Sequence, residues 1–80
     1  MKKYSLHATD ASTRVPGELQ SFDSLAAACA AGIKGGVSIA TDEINAGASA
    51  SAIEICVEDS NSVVVSRSVI TMSVCNLHID

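Results

Sequence analysis

Alternation of apolar and polar residues predicts three β-strands, over residues 3–9, 52–58 and 63–74. In the first strand, Tyr4, Leu6 and Ala8 share one side. The last two strands are separated by Asp59-Ser60-Asn61-Ser62, a run of residues typical of turns. These two strands therefore predict an antiparallel hairpin.

Between the first strand and the hairpin, apolar residues recur at spacings of three and four, which predicts a helix over residues 24–46. The stripe consists of Phe22, Leu25, Cys29, Ile33, Gly36, Ala40 and Ile44, and Ala26 and Val37 widen it. Ser21 or Asp23 can cap the N-terminus of the helix, and Gly47 is placed for a left-handed C-terminal cap.

Two segments interrupt this regular pattern. Residues 14–20 contain Pro16-Gly17, so they allow at most a short edge strand near residues 18–20. In the last strand the alternation changes phase near Ser66-Arg67-Ser68, which indicates either a bulge or a strand buried on both faces at its start.

The order strand, short strand, helix, strand, strand predicts an α+β fold. One long helix packs on one face of a three- to four-stranded, mainly antiparallel sheet, and residues 1–80 form one domain. The residues expected to be largely buried are Leu6, Leu25, Ile33, Val37, Ile53, Ile55 and Val57.

The predicted helix is unusual because one of its sides contains glycines and the other contains alanines in place of charged residues. It contains Gly32, Gly35 and Gly36, each of which costs roughly 1 kcal/mol relative to alanine in a helix interior. From Leu25 to Ile33 it carries no charged residue, and alanines take the positions where a surface helix has lysine or glutamate. Missing side chains allow close packing, and missing charges favour association with another chain.

Composition supports association and disfavours two classes of partner. The apolar content is 48%, but Tyr4 and Phe22 are the only aromatic residues, so the core is thin for a chain of 80 residues. The net charge is −4 and the five basic residues are scattered, which argues against nucleic-acid binding. No apolar run is long enough for a membrane span, and no signal peptide is expected, so we predict a cytoplasmic location.

The sequence resembles a family of short bacterial proteins of unknown function. Four stretches carry the resemblance: residues 3–7, residues 18–28 with an acidic-aliphatic step into an alanine-rich helix, residues 39–47 with Thr-Asp-Glu-Ile-Asn-Ala-Gly, and residues 55–59. The chain differs from that pattern in its glycine-rich mid-helix and its long last strand. The resemblance implies the same order of elements and no particular activity.

Few residues suggest chemistry. Gly32 to Ser38 could expose amides beside Lys34 and bind an anion if the helix breaks at Gly35-Gly36. His7 and His78 could join Asp10, Cys75 or Asp80 around a metal, although His7 alternates onto the polar side of its strand, where a solvated histidine is ordinary.

Other candidates are explained more simply by structure. Asp42-Glu43 and Glu58-Asp59 are adjacent carboxylates at element ends, where neighbours in sequence diverge. Cys29, Cys56 and Cys75 are odd in number and widely spaced, which favours neither disulfides nor zinc, and Cys29 reads as a small core residue. No serine lies in a GxSxG context.

We therefore assign no catalytic, cofactor-binding or metal-binding residue from the sequence. The leading hypothesis is a non-catalytic interaction or accessory domain that forms a homodimer through helix backs or valine-rich strand edges, including residues 63–65. The alternative is a small-ligand or anion-binding protein that uses residues 34–38.

Overall fold

The computed structural model describes residues 2–10 and 14–77. These residues form β1 (Lys2–Thr9), β2 (Arg14–Val15), β3 (Gln20–Phe22), α1 (Leu25–Asn45), β4 (Ala50–Asp59) and β5 (Val64–Ser73). The long helix packs on one face of an antiparallel sheet, so the predicted α+β fold is confirmed. The sheet has five strands. Residues 14–22 form two short strands, where the sequence predicts at most one.

The sheet has one covered edge and one open edge. The strand order is β2-β1-β4-β5, and β3 also pairs with β1. Because β2 pairs with Ala8 and Thr9 while β3 pairs with Lys2 to Tyr4, the two short strands together cover one edge of β1. At the other end of the sheet, β5 pairs with β4 alone.

Gly17 lies in the segment that joins the two short strands. An added Cβ at this position would overlap with the backbone carbonyl oxygen of Leu6. A carbonyl held within a strand cannot move aside as the end of a flexible side chain can. Glycine is therefore needed for the close approach of this segment to β1.

The helix begins and ends with clear capping contacts. Ser24, with an extended backbone (φ −159°), is the N-cap, and its Oγ accepts a hydrogen bond from the N–H of Ala27 at 3.1 Å. The prediction of Ser21 or Asp23 is wrong because β3 extends to Phe22 and leaves Ser24 as the residue that enters the helix. Gly47 has φ +108°, as expected, and its N–H donates to the carbonyl of Ile44.

The helix faces the sheet with its smallest residues. Its buried positions are Ala28, Gly32, Gly36 and Ala40. The prediction that Leu25, Ile33 and Val37 are buried is wrong, since they are 37%, 41% and 42% exposed. Ile55 and Ile70 of the sheet fill the space above the two glycines, so the helix turns its small residues towards them.

Two small clusters make up the core. One contains Tyr4, Ala28 and Val57, with Leu6, Phe22 and Cys29 packed against it, and the other contains Ala40, Ile53 and Ile55. Ile53, Ile55 and Val57 are buried as predicted, and Leu6 is half-buried.

The hairpin turn and the phase change in β5 follow the sequence prediction. Asp59 Oδ1 accepts hydrogen bonds from the N–H groups of Asn61 and Val63, at 2.8 and 3.0 Å. The β4–β5 register shifts at Val57/Glu58, which leaves Val65 as an extra residue on β5. The bulge interpretation is therefore confirmed, and the doubly buried alternative is wrong because Val65 is exposed.

Candidate functional site

The sheet face opposite the helix carries a row of polar side chains. His7, Cys56 and Arg67 occupy paired positions on β1, β4 and β5. The hydrogen bonds of these side chains form two groups. One group is centred on His7, and in the other Cys56 and Arg67 both donate to Glu54 of β4.

His7 is fixed by three contacts. The N–H of Gly17 donates to Nδ1 at 3.3 Å, so the proton of the neutral ring lies on Nε2. Nε2 lies 3.0 Å from Ser5 Oγ and 3.4 Å from Glu58 Oε2. The side chain is only 11% exposed, so the expected solvated histidine is wrong. The segment that contains Gly17 therefore lies beside the imidazole.

These three side chains have the composition of a catalytic triad without its geometry. A triad places the serine and the carboxylate on opposite nitrogens of the imidazole. Here Ser5 and Glu58 both lie at Nε2, and the Gly17 amide occupies Nδ1. The arrangement ties β1 to β4 and to the segment before β3, and it does not activate Ser5.

The second group holds a thiol in its protonated form. Arg67 Nη2 donates to both carboxylate oxygens of Glu54 at 3.0 Å, which lowers the pKa of Glu54. Burial, and then the hydrogen bond from Sγ to Glu54 Oε1 at 3.3 Å, raise the pKa of Cys56. A protonated thiol is a poor nucleophile and a poor metal ligand.

The described residues contain no group of three or more His, Cys, Asp or Glu side chains that could hold a metal ion. Of the predicted ligands, His78 and Asp80 lie outside the described residues. In the Glu58-Asp59 pair the two carboxylates diverge as expected, since Glu58 lies beside His7 while Asp59 is used within its turn. In the other pair, Glu43 accepts a hydrogen bond from the hydroxyl of Ser51.

The glycine-rich part of α1 does not form the arrangement required for anion binding. The helix is continuous through Gly35 and Gly36, so the amides beside Lys34 lie within it. A groove of about 180 Å³ separates this part of α1 from the segment before β3. Much of its lining comes from Val15, Pro16, Ala31, Gly35 and Ile39, and Lys34 is not among the described lining residues.

The open edge of β5 is long and apolar. Exposed valines within or beside it are Val63, Val64, Val65, Val69 and Val74. Natural edge strands are protected by lysine, proline or inward-pointing charges. The ten residues of β5 contain no lysine or proline, and Arg67 is their one charged residue.

The backbone hydrogen-bonding pattern shows which groups of β5 face outward. The N–H of Val74 donates to the carbonyl of Ser49 at 2.9 Å, so Val74 directs its backbone towards β4. Backbone direction alternates along an antiparallel strand, so Ser68, Ile70 and Met72 also pair with β4. The N–H and C=O groups that face the open edge belong to Arg67, Val69, Thr71 and Ser73.

One flank of the helix continues this apolar edge. Both Gly35 and Gly36 line the groove on the β2 side. An added Cβ at Gly36 would lie 2.6 Å from Ile70 Cδ1 on β5, whereas an added Cβ at Gly35 would have nothing within 4 Å. Ile33 and Val37 lie further around the helix from Gly35, beyond Gly36. The exposed side chains of Ile33 and Val37 therefore lie on the flank nearer the open edge, and we call this flank together with the edge of β5 the β5 surface.

The sequence pattern indicates the valines at residues 63–65 but does not distinguish Val69. Val69 is the most exposed apolar residue within β5, at 63%. Val69 could have been identified from the alternation. It lies two residues after Arg67 and so on the same side of β5, provided that the phase change comes before both residues.

Comparison with known proteins gives no match to a family, to a curated protein or to a solved structure. The resemblance to short bacterial proteins therefore stays a prediction. Within the described part of the chain, no helix combines the length and apolarity that a membrane span requires.

Proposed function

We propose that this chain is a non-catalytic interaction domain that forms a homodimer through the β5 surface. The observation that carries the proposal is an open ten-residue strand with exposed valines beside an apolar helix flank. An unpaired edge of this kind is a template for another strand. A second copy supplies an edge of the same length and composition.

The surface area of the chain supports this proposal. A compact monomer of 8.2 kDa is expected to expose about 4500 Å², whereas this chain exposes 5445 Å². The radius of gyration is likewise 14.8 Å, against about 12 Å for a compact chain of this length.

Charge does not oppose association at this surface. The chain carries a net charge of −4, so two copies repel each other overall. On β5 the single charge is that of Arg67, and its guanidinium is paired with Glu54 of the same chain. Two β5 surfaces can therefore meet without bringing unpaired like charges together.

The alternative function, binding of a small ligand or anion near residues 34–38, has weaker support. A polar concave pocket beside Lys34 would favour it. The groove beside the glycines is mainly apolar, and the helix amides at this point are already used within the helix.

The test compares one lysine substitution at each edge of the sheet. Val69→Lys places a charge on the open edge, and Val15→Lys places the same charge on the covered edge. Both valines are exposed, at 63% and 53%, so neither change should unfold the monomer. We expect Val69→Lys to weaken dimerisation at least about tenfold, or 1.4 kcal/mol, and Val15→Lys to leave it unchanged.

Sedimentation equilibrium at micromolar to high micromolar concentration measures both effects. A wild-type chain that stays monomeric over this range contradicts self-association. Each lysine reduces the net negative charge of the chain and so the overall repulsion between two copies. Equal weakening by the two lysines would therefore contradict the β5 surface as the site of assembly.

A further inference from the structure

We infer that two copies pair their β5 strands antiparallel about a two-fold axis at Ile70, so that the two sheets form one continuous sheet. This inference rests on the proposed self-association and specifies its geometry. The two-fold axis runs perpendicular to the sheet, so both helices lie on the same face of the joined sheet.

The register follows from the outward-facing backbone groups. These belong to Arg67, Val69, Thr71 and Ser73, and the centre of that set is Ile70. Pairing about Ile70 places Arg67 opposite Ser73 of the second copy and Val69 opposite Thr71. Each outward N–H and C=O of this set then has a partner, which no other symmetric register provides.

Neighbouring registers are less favourable for identifiable reasons. A two-fold axis at Arg67 would place the two guanidinium groups directly opposite each other, which is destabilising. An axis at Val69 would place Ser73 opposite the bulge at Val65, where the ladder of β5 is irregular.

Side-chain pairs also favour the register about Ile70. On the outer face, Val69 meets Thr71 of the second copy, and pairs of β-branched residues suit adjacent strands. On the helix face, Ile70 meets its own copy and extends the apolar layer that it forms beneath Gly36. The flanks with Ile33 and Val37 then face each other across the joined strands.

Cysteine cross-linking between two different variants tests this register. The background variant is Cys29→Ala/Cys56→Ser/Cys75→Ser, whose folding and dimerisation are measured first. Val69→Cys and Thr71→Cys are each added to that background, and the two proteins are refolded together and oxidised. Residues 69 and 71 of different copies would have Cα atoms about 5.5 Å apart, within the range for a disulfide.

The two variants alone are the matched controls. In the register about Ile70, two copies of residue 69, or of residue 71, have Cα atoms more than about 8 Å apart, which is too far for a disulfide. We therefore expect a cross-linked dimer in the mixture, at close to half of the chains, and little in either variant alone.

Each other result overturns a specific statement. Cross-linking of Val69→Cys alone would overturn the register about Ile70 and move the axis to Val69. A dimer that gives no cross-link in any sample would overturn β5 pairing while leaving self-association intact. A monomeric wild-type chain would overturn the proposed function itself.

Discussion

The two strands of the hairpin have equal length and contrasting environments. β4 alternates between buried and partly exposed residues, with Ser51, Ile53, Ile55 and Val57 all buried. β5 contains five large apolar residues, yet no residue of β5 is buried. The difference is positional, because β4 lies between two strands and below the helix while β5 has one neighbour.

This contrast shows that apolar content alone does not determine burial in a small sheet. A single helix of 21 residues covers the middle of the sheet, and its buried face is made of alanine and glycine. Such a face reaches the central strands closely but extends little towards the sides. Ile70 and Met72 pack against the core, whereas Val64, Val65 and Val69 of β5 remain exposed.

The largest expected effect tests this contrast directly. Ile55→Ala should destabilise the fold by about 2–5 kcal/mol, because Ile55 is 4% exposed and packs under Gly32 and Gly36. Val69→Ala should change the free energy of unfolding by less than about 0.5 kcal/mol, as is usual at surfaces. Urea denaturation at low protein concentration keeps association out of the measurement, and similar losses for both variants would contradict the contrast.

A smaller effect is expected from alanine at two neighbouring glycines. Gly35→Ala should stabilise the helix by about 1 kcal/mol, since nothing lies within 4 Å of the added Cβ. Gly36→Ala gains the same propensity but brings its Cβ to 2.6 Å from Ile70 Cδ1, and overpacking costs about 1–3 kcal/mol. Thermal unfolding should rank Gly35→Ala above wild type and clearly above Gly36→Ala. The reverse ranking would show that the helix does not rest on β5 here.

The ion pair between the two strands should have a still smaller effect. Hydrogen bonds from Arg67 lower the pKa of Glu54, so its contribution to stability is present above the unfolded pKa and is lost as pH falls through the folded pKa. Because both groups are exposed, the loss should be slight. Melting curves from pH 6 to pH 3 should show a slightly steeper decline for wild type than for Glu54→Gln. Parallel curves would mean that this bridge adds nothing to the hairpin.

No effect is expected from zinc or from reductant. The described residues offer no metal cluster, and Cys29, Cys56 and Cys75 are free thiols. Melting temperatures with chelator, zinc and reductant should agree. A reproducible rise of several degrees with zinc would reveal a ligand set that includes residues outside the described ranges.

The strands were largely predictable because alternation in β4 reports directly on its two faces. Ile53, Ile55 and Val57 point inward and Glu54 points outward, as the period of two requires. The predicted ends of the helix were also close to the observed ones. At the C-terminal end, Gly47 has the left-handed conformation that its position suggested.

The orientation of the helix was not predictable from residue size. The predicted stripe combined Leu25 and Ile33, widened by Val37, with small residues that include Gly36. Only its small residues are buried, because the side chains of Ile55 and Ile70 already fill the space between the helix and the sheet. The residues that decide the orientation of the helix therefore belong to the sheet and cannot be recognised from the helical pattern itself.

The polar contacts were also beyond sequence analysis. His7 lies on the face that alternation assigns to it, but its Nδ1 accepts a hydrogen bond from the N–H of Gly17, which is ten residues away. The phase change in the sequence indicated a bulge in β5. Its position at Val65 is determined by the pairing of β5 with β4, which the sequence does not show.

The covered edge of β1 has a consequence for the size of any assembly. Strand addition becomes open-ended polymerisation when each new copy presents another free edge. Here β2 and β3, of two and three residues, form the far edge of the sheet and are too short to pair with a strand of ten residues, and pairing through β5 uses the other edge. Growth by edge addition would therefore terminate at two copies, so this long valine-bearing strand can associate without seeding a fibril.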